Sequence, residues 1–249
     1  MTEGATSSES RRVLYSITEL CIRKGTGSDA FVLEVPALEI EAGARVALAG
    51  PSGCGKSSLV DVLALLAQPA WVDVFFFDPG PQALDLAARM KGRDSSFLAG
   101  LRARHIGFVP QVGGLLPGLT VRQNIELPCR LAGIKSGEWI RHLMTSLGLS
   151  AHGNKKPGAL SVGERQRCAI ARALAHRPAV VIADEPTGAL DPHNADRVLR
   201  VFCEMAQEVN STLLVVSHDV DRIRRFDLDV IPHGFRRDGD RAVSVFGGR

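Results

Sequence analysis

Residues 50–58 read GPSGCGKSS: three glycines and one lysine set between the apolar stretch RVALA (45–49) and a second apolar stretch, LVDVLALLA (59–67). So many glycines pack poorly, so the run has to serve something other than a core. Its spacing, Gly50-x-x-x-x-Gly55-Lys56-Ser57, fits the phosphate-binding loop. Each residue type has a physical reason. Glycines let the backbone curl until successive N–H groups face one anion, and the positive end of the following helix adds to them. Lys56 would reach the β- and γ-phosphates, and the Ser57 hydroxyl would ligate Mg²⁺. A Gly-rich turn can also be only a tight connection. Here, however, strand, loop and helix follow in the order that phosphate binding needs.

The rest of the composition is that of an ordinary globular chain. Of its 249 residues 45% are apolar, and 30 Lys and Arg stand against 27 Asp and Glu. A net charge of +3 is too small for a protein whose whole surface grips nucleic acid, though a local basic patch stays possible. Cys21, Cys54, Cys129, Cys168 and Cys203 are odd in number and show no C-x-x-C spacing, which points to unpaired thiols in a reducing compartment. Residues 1–12 (MTEGATSSESRR) are polar and read as a disordered lead-in, not a signal peptide. No apolar run approaches the roughly 20 residues that span a bilayer.

Along the chain, 13–49 alternate apolar and polar positions, as short antiparallel strands leading into RVALA do. SSLVDVLALLA (57–67) reads as a helix ending before Pro69, and WVDVFFFDPG (71–80) as a strand closed by a turn, with Phe75, Phe76 and Phe77 in the sheet core. From Ala83 to Gly158 the pattern is helical, broken by IGFVPQ. The last third alternates again: a helix over 164–175, a strand at AVVIADEP, a helix over 194–209 and a strand at TLLVVSHD. Strands alternating with helices predict a parallel sheet covered on both faces. Asp238-Gly239 between two extended stretches predicts a final hairpin.

AVVIADEP supplies the carboxylates that a phosphate loop needs. Asp184 and Glu185 follow four apolar residues and one small one at the carboxyl end of a strand, where ligands collect in parallel sheets. Asp184 would hold Mg²⁺ through its water shell and Glu185 would polarise an attacking water, although two acids after a buried strand can simply cap it. A second anion-binding helix start, Ser161 and Gly163 in LSVGERQR (160–167), is more than one phosphate loop requires. With it the chain resembles the ATP-binding cassette ATPases, whose signature is L-S-G-G-Q or a variant such as L-S-x-G-E. Gln111 in FVPQ matches the Q-loop, Asp191 in GALD the D-loop and His218 in VVSHD the switch histidine.

The resemblance implies an α/β fold: a P-loop NTPase (RecA-like) core with a mostly parallel sheet, an N-terminal antiparallel β subdomain, and an α-helical subdomain inserted at about 88–158 of one ATPase domain (13–249). It implies ATP binding by Gly50, Pro51, Ser52, Gly53, Cys54, Gly55, Lys56, Ser57 and Ser58, and by Ser161, Gly163, Glu164 and Asp191. Catalysis would rest on Glu185, His218, Lys56 and Gln111, with Mg²⁺ held by Ser57, Gln111 and Asp184. Two copies would sandwich two ATP molecules, the signature of one capping the γ-phosphate held by the other.

LLPGLTVRQNIELP (115–128) and ADEPTGALD (183–191) are similar to the lipoprotein-releasing, macrolide-efflux and cell-division group of these ATPases, through Leu115, Leu116, Pro117, Thr120, Asn124 and Ile125. That likeness implies an integral membrane partner with a large extracytoplasmic domain, mechanical force passed across the membrane, and a place on the cytoplasmic face of the inner membrane. The output could equally be control of a cell-wall hydrolase. Cassette ATPases that work on DNA or ribosomes insert long coiled coils or zinc modules, or carry two cassettes; none of these is in the sequence, so no nucleic-acid partner is expected.

Three places depart from the family. Lys24 or Gly25 stands where an aromatic usually stacks on adenine, which implies weaker or less base-selective ATP binding unless Phe31, the nearest ring upstream of the loop, substitutes. Val162 replaces the first signature glycine, leaving the backbone N–H groups but narrowing φ/ψ. The stretch 66–80 is short and aromatic. Cys54 lies where a helix N-terminus lowers a thiol pKa, and reads either as an alkylatable group or as a small space filler.

Overall fold

Burial sorts the strands into two kinds, and the two kinds form two sheets. The computed structural model describes residues 12–26, 30–92, 94–111, 114–188, 190–239 and 241–248. The lead-in expected over 1–12 lies outside them except for Arg12, whose carbonyl already accepts from Ala42 N at 2.8 Å. β1 (Val13–Lys24) and β2 (Phe31–Glu41) largely alternate buried with half-buried or exposed positions and pair antiparallel. One face of such a pair can meet water. β3 (Arg45–Ala49) is instead almost continuously apolar and buried, as a strand covered on both sides must be.

After β3 come α1 (Lys56–Leu63), β4 (Val74–Phe77), β5 (Leu84–Asp85), α2 (Ala87–Lys91) and α3 (Ser95–His105). α1 stops at Leu63 and does not run on towards Ala67, because Leu65 takes the left-handed conformation (φ 57°) and Leu66 N turns back to Asp61 O. In β4 Phe75 and Phe77 are fully buried around Tyr15, but Phe76 is 42% exposed. The expected all-core triplet is thus corrected by the two-residue period of a strand, which turns the middle ring to the other face.

β6 (Ile106–Val109), α4 (Val121–Ala132) and α5 (Gly137–Ser146) follow. α4 opens on a capping box between Thr120 and Gln123 and ends on Gly133 at φ 71°. The fully buried Asn124 ties the preceding loop to α4: its Oδ1 accepts from Leu116 N at 2.8 Å and its Nδ2 donates to Leu116 O and Thr120 O. Trp139 of α5 donates its indole N–H to Leu174 O at 3.0 Å, fastening α5 to the helix α6 (Val162–Leu174).

β7 (Val180–Asp184), α7 (Pro192–Glu208), β8 (Thr212–Ser217), α8 (Val220–Arg225) and β9 (Asp229–Ile231) complete a five-stranded parallel sheet in the order β6-β7-β8-β3-β9. The last strands, β10 (His233–Asp238) and β11 (Arg241–Phe246), form the expected hairpin. They then return to the first sheet, where β11 lies parallel to β2 in the order β10-β11-β2-β1-β4-β5. The antiparallel subdomain is therefore built from both ends of the chain. One apolar cluster fills the space between this sheet and α1, and a second joins the parallel sheet to α4–α7.

Just beyond α6, His176 is buried, and neither ring nitrogen makes a hydrogen bond of good geometry among the described residues. Burial pulls its pKa down to about 4, the backbone of Ile106 opposes this, and His105 adds to the lowering. The unfolded chain therefore binds the extra proton first. Stability is whole above the ordinary histidine pKa of 6.5 and falls as pH drops from there to about 4. His176→Leu is expected to flatten that acid slope in pH-dependent denaturant melts, removing a loss of about 3 kcal/mol.

Candidate functional site

Strand order decides what meets at this site. The carboxyl ends of β6, β7, β8 and β3 lie side by side, and at or just past them stand, in turn, the segment to Gln111, Asp184-Glu185, His218 and the glycine loop. Parallel strands place all these ends on one edge, where ligands bind in open α/β sheets. A cleft of about 370 Å³ lies there, lined by Lys24, Phe31, Ser52, Gly53, Gly55, Lys56, Ser57, Ser58, Gln111, Asp184, Glu185 and Val216.

The loop is shaped by Gly53 (φ 82°) and Gly55 (φ 96°), conformations that a side chain disfavours. Gly55 also has no room for one: a Cβ there would lie 2.5 Å from Leu33 and 2.7 Å from Phe31. Gly55 is the N-cap of α1 and offers no side-chain acceptor, so the first amides of α1 face the cleft unsatisfied. Lys56, buried at its base, turns its ammonium back to Gly50 O and Pro51 O, both at 2.8 Å. Cys54 is buried, 3.8 Å from that nitrogen, and packs as the space filler.

Opposite the loop, Ser57 donates its hydroxyl to Asp184 Oδ2 at 3.1 Å. Burial raises the Asp184 pKa above its ordinary range; the Ser57 hydrogen bond and Lys56 oppose this, while Glu185 and Asp61 reinforce it. An acid so placed gains from a nearby cation. Glu185 holds a left-handed backbone (φ 47°), with its N–H donated to Val216 O at 3.0 Å. Gln111 Nε2 donates to Glu185 Oε2 at 3.2 Å, and His218 Nδ1 lies 3.3 Å from Oε1, so the two carboxylate oxygens have separate partners.

The remaining sequence-derived residues lie elsewhere. Ser161, Gly163, Glu164 and Asp191 are not on the wall of this cleft. Ser161 caps α6 by a reciprocal box: its Oγ accepts from Glu164 N at 3.2 Å and its N–H donates to Glu164 Oε2 at 2.6 Å. His152 reaches the other Glu164 oxygen at 3.2 Å. Val162 sits outside at 48% exposure. Asp191 caps α7 through Asn194 N and is exposed. The sequence set Lys24 or Gly25 at the place of the missing aromatic and held Phe31 only in reserve; Lys24 and Phe31 both line the cleft, and Gly25 does not. Lys24 and Phe31 are direct cross-strand partners in the β1–β2 ladder, and that register is the signal that brings the ring to the site.

The family model for ABC transporter matches residues 33–188. The chain is 40% identical over 202 residues to the lipoprotein-releasing system ATP-binding protein LolD of Paramagnetospirillum magneticum, covering 80% of this chain and 85% of that one. It is 39% identical over 222 residues to the uncharacterized ABC transporter ATP-binding protein YvrO of Bacillus subtilis, covering 86% and 91%. Among solved structures, the dimeric ABC transporter cassette MJ0796 is similar with a TM-score of 0.73 at 31% identity, covering 84% of this chain and 90% of that one. A post-hydrolysis state of the same cassette, with ADP and phosphate bound, has a TM-score of 0.71. On the motifs, the fold and these likenesses together, the chain belongs to the ABC transporter family as an ATP-binding cassette ATPase.

Proposed function

We propose that two copies of this chain close head to tail on ATP and that the closure drives a partner protein in the membrane. The observation that carries this is the split site. The loop, both acids and Gln111 line one cleft, with His218 beside it on Glu185, while Ser161 and Gly163 at the capped start of α6 are not on its wall. A second copy supplies what the first lacks, and the similar cassette of known structure is dimeric.

Within one cleft, the amides of the loop and of the first turn of α1 cradle the phosphates. Lys56 exchanges its two carbonyl partners for the β- and γ-phosphate oxygens. The Ser57 hydroxyl, the Asp184 carboxylate and the Gln111 side chain offer hard oxygen donors on one side of the loop, a set that suits Mg²⁺, which takes few protein ligands alongside phosphate and water. Bound there, Mg²⁺ would neutralise charge developing on the phosphates. Glu185 accepts a proton from the attacking water as the new bond to the γ-phosphorus forms and the bond to the bridging oxygen breaks. Gln111 and His218 hold its two oxygens in position for that step. Phe31 offers its ring to the base in place of the aromatic missing at Lys24.

A shallow apolar groove beside the Q-loop strand, with Phe108, Leu127, Pro128 and the 69% exposed Leu131, is the face offered to the membrane partner. Among the described residues no helix is long and apolar enough to cross a membrane, so in this reading attachment is through that partner at the cytoplasmic face. The likeness to lipoprotein-releasing ATPases favours lipoprotein release or similar mechanical work as the output.

Glu185→Gln is expected to lower the ATPase rate at least about 100-fold while ATP-dependent dimers persist in size-exclusion chromatography with light scattering. Full turnover in that variant removes Glu185 from the base role, and a chain that stays monomeric with ATP under all conditions removes the closure. Phe31→Ala is expected to raise the KM for ATP about 5- to 100-fold and to narrow the preference for ATP over GTP, as measured in competition assays.

A further inference from the structure

The glycine loop is held from behind by the end of the chain. Ser244 of β11 is buried and donates its hydroxyl to Cys54 O at 2.6 Å, 190 residues away in sequence. His233 of β10 places Nε2 3.0 Å from the same Ser244 oxygen, and its ring packs on Phe246 and edge-on to Phe235. Its other nitrogen lies against the start of the loop, where a Cβ on Gly50 would meet His233 Nδ1 at 3.2 Å and Cys54 Sγ at 2.9 Å. A hydroxyl has one proton. Since Ser244 spends it on Cys54 O, it must accept from His233, which puts the imidazole proton on Nε2. Burial, and secondarily the Lys56 ammonium, hold the His233 pKa below its ordinary value, in keeping with a neutral ring carrying that single proton.

We infer that the β10–β11 hairpin is a brace for phosphate binding, in which Ser244 is a positioning residue for the Cys54–Gly55 peptide and His233 orients Ser244. In a planar trans peptide the C=O and N–H point in opposite directions. Fixing Cys54 O outward on Ser244 therefore aims the Gly55 N–H inward, towards the concave side where an anion sits. The brace answers a specific weakness. Gly53 and Gly55 flank Cys54 and carry positive φ, so without an anchor this peptide rotates at little steric cost and the nest loses a donor. The neighbours of Ser244 set its place: it stands in register with Leu33, whose side chain closes on Gly55 from the same sheet.

The inference rests on the reading of the cleft as the nucleotide site, and the test separates the two. Binding of ATP and of inorganic tripolyphosphate to the full-length chain is measured by calorimetry, together with steady-state ATPase kinetics. Ser244→Ala is expected to weaken both ligands by a similar factor of about three to ten, raising KM by that factor and leaving kcat within about twofold. Ser244→Thr, which keeps the hydroxyl, is expected to restore the affinity. His233→Ala is expected to give a smaller loss, and the double variant to be no weaker than Ser244→Ala, because the two act in series. A folded Ser244→Ala chain that binds tripolyphosphate as tightly as the wild type overturns the brace and leaves the site standing. If Ser244→Ala does not fold, unchanged affinities in His233→Ala overturn it instead. A wild-type chain that binds neither ligand overturns the site and the brace together.

Discussion

The amides at the start of α1 have no acceptor of their own, and much of the molecule is arranged around that deficit. A helix normally satisfies its first N–H groups with a side chain, as α4, α6 and α7 do through Thr120, Ser161 and Asp191. α1 begins on Gly55 in a left-handed turn and leaves them open. Open donors beside a lysine form a region of positive potential in a cleft walled by packed strands, a good host for a polyanion and a poor host for anything neutral. Lys56 donates its ammonium to the carbonyls of Gly50 and Pro51 and so ties the start of α1 back to the start of the loop.

Topology does the rest of the assembly. Gln111, Glu185 and His218 are separated by 74 and 33 residues, yet their side chains share one carboxylate, because their strands are parallel neighbours ending on the same edge. Parallel pairing requires crossover connections, and those are the helices that cover the sheet. The edge that gathers the cleft residues and the helical layers are two results of one choice of strand direction. The helices that cover the sheet have local ties as well: the Asn124 knot fastens the loop ahead of α4, and Trp139 joins α5 to α6.

Much of this was legible in residue types and spacing. The glycine loop, the two acids after an apolar strand and the alternation of strand and helix each rest on short-range rules, and the structure gathers those residues at one edge. What was hidden depends on register and closure. Phe31 reaches the cleft because it pairs with Lys24 across a hairpin, and no spacing along the chain states that pairing. Phe76 faces solvent because a strand alternates, which three identical residues in a row conceal. The early end of α1 turns on one left-handed leucine, and leucine carries no stop signal. β11 joins β2 in parallel after more than 200 residues, which only the completed sheet reveals.

Glu185 stands on a backbone torsion that L-residues avoid, at a cost on the order of 1–2 kcal/mol. The neighbouring strand sustains it by accepting the Glu185 N–H at Val216 O. Evolution for robustness alone would have favoured glycine or asparagine at this spot. That an acid stands in so uncomfortable a bend means the chain carries a standing tension there, and glycine at this spot would trade the carboxylate for thermal endurance.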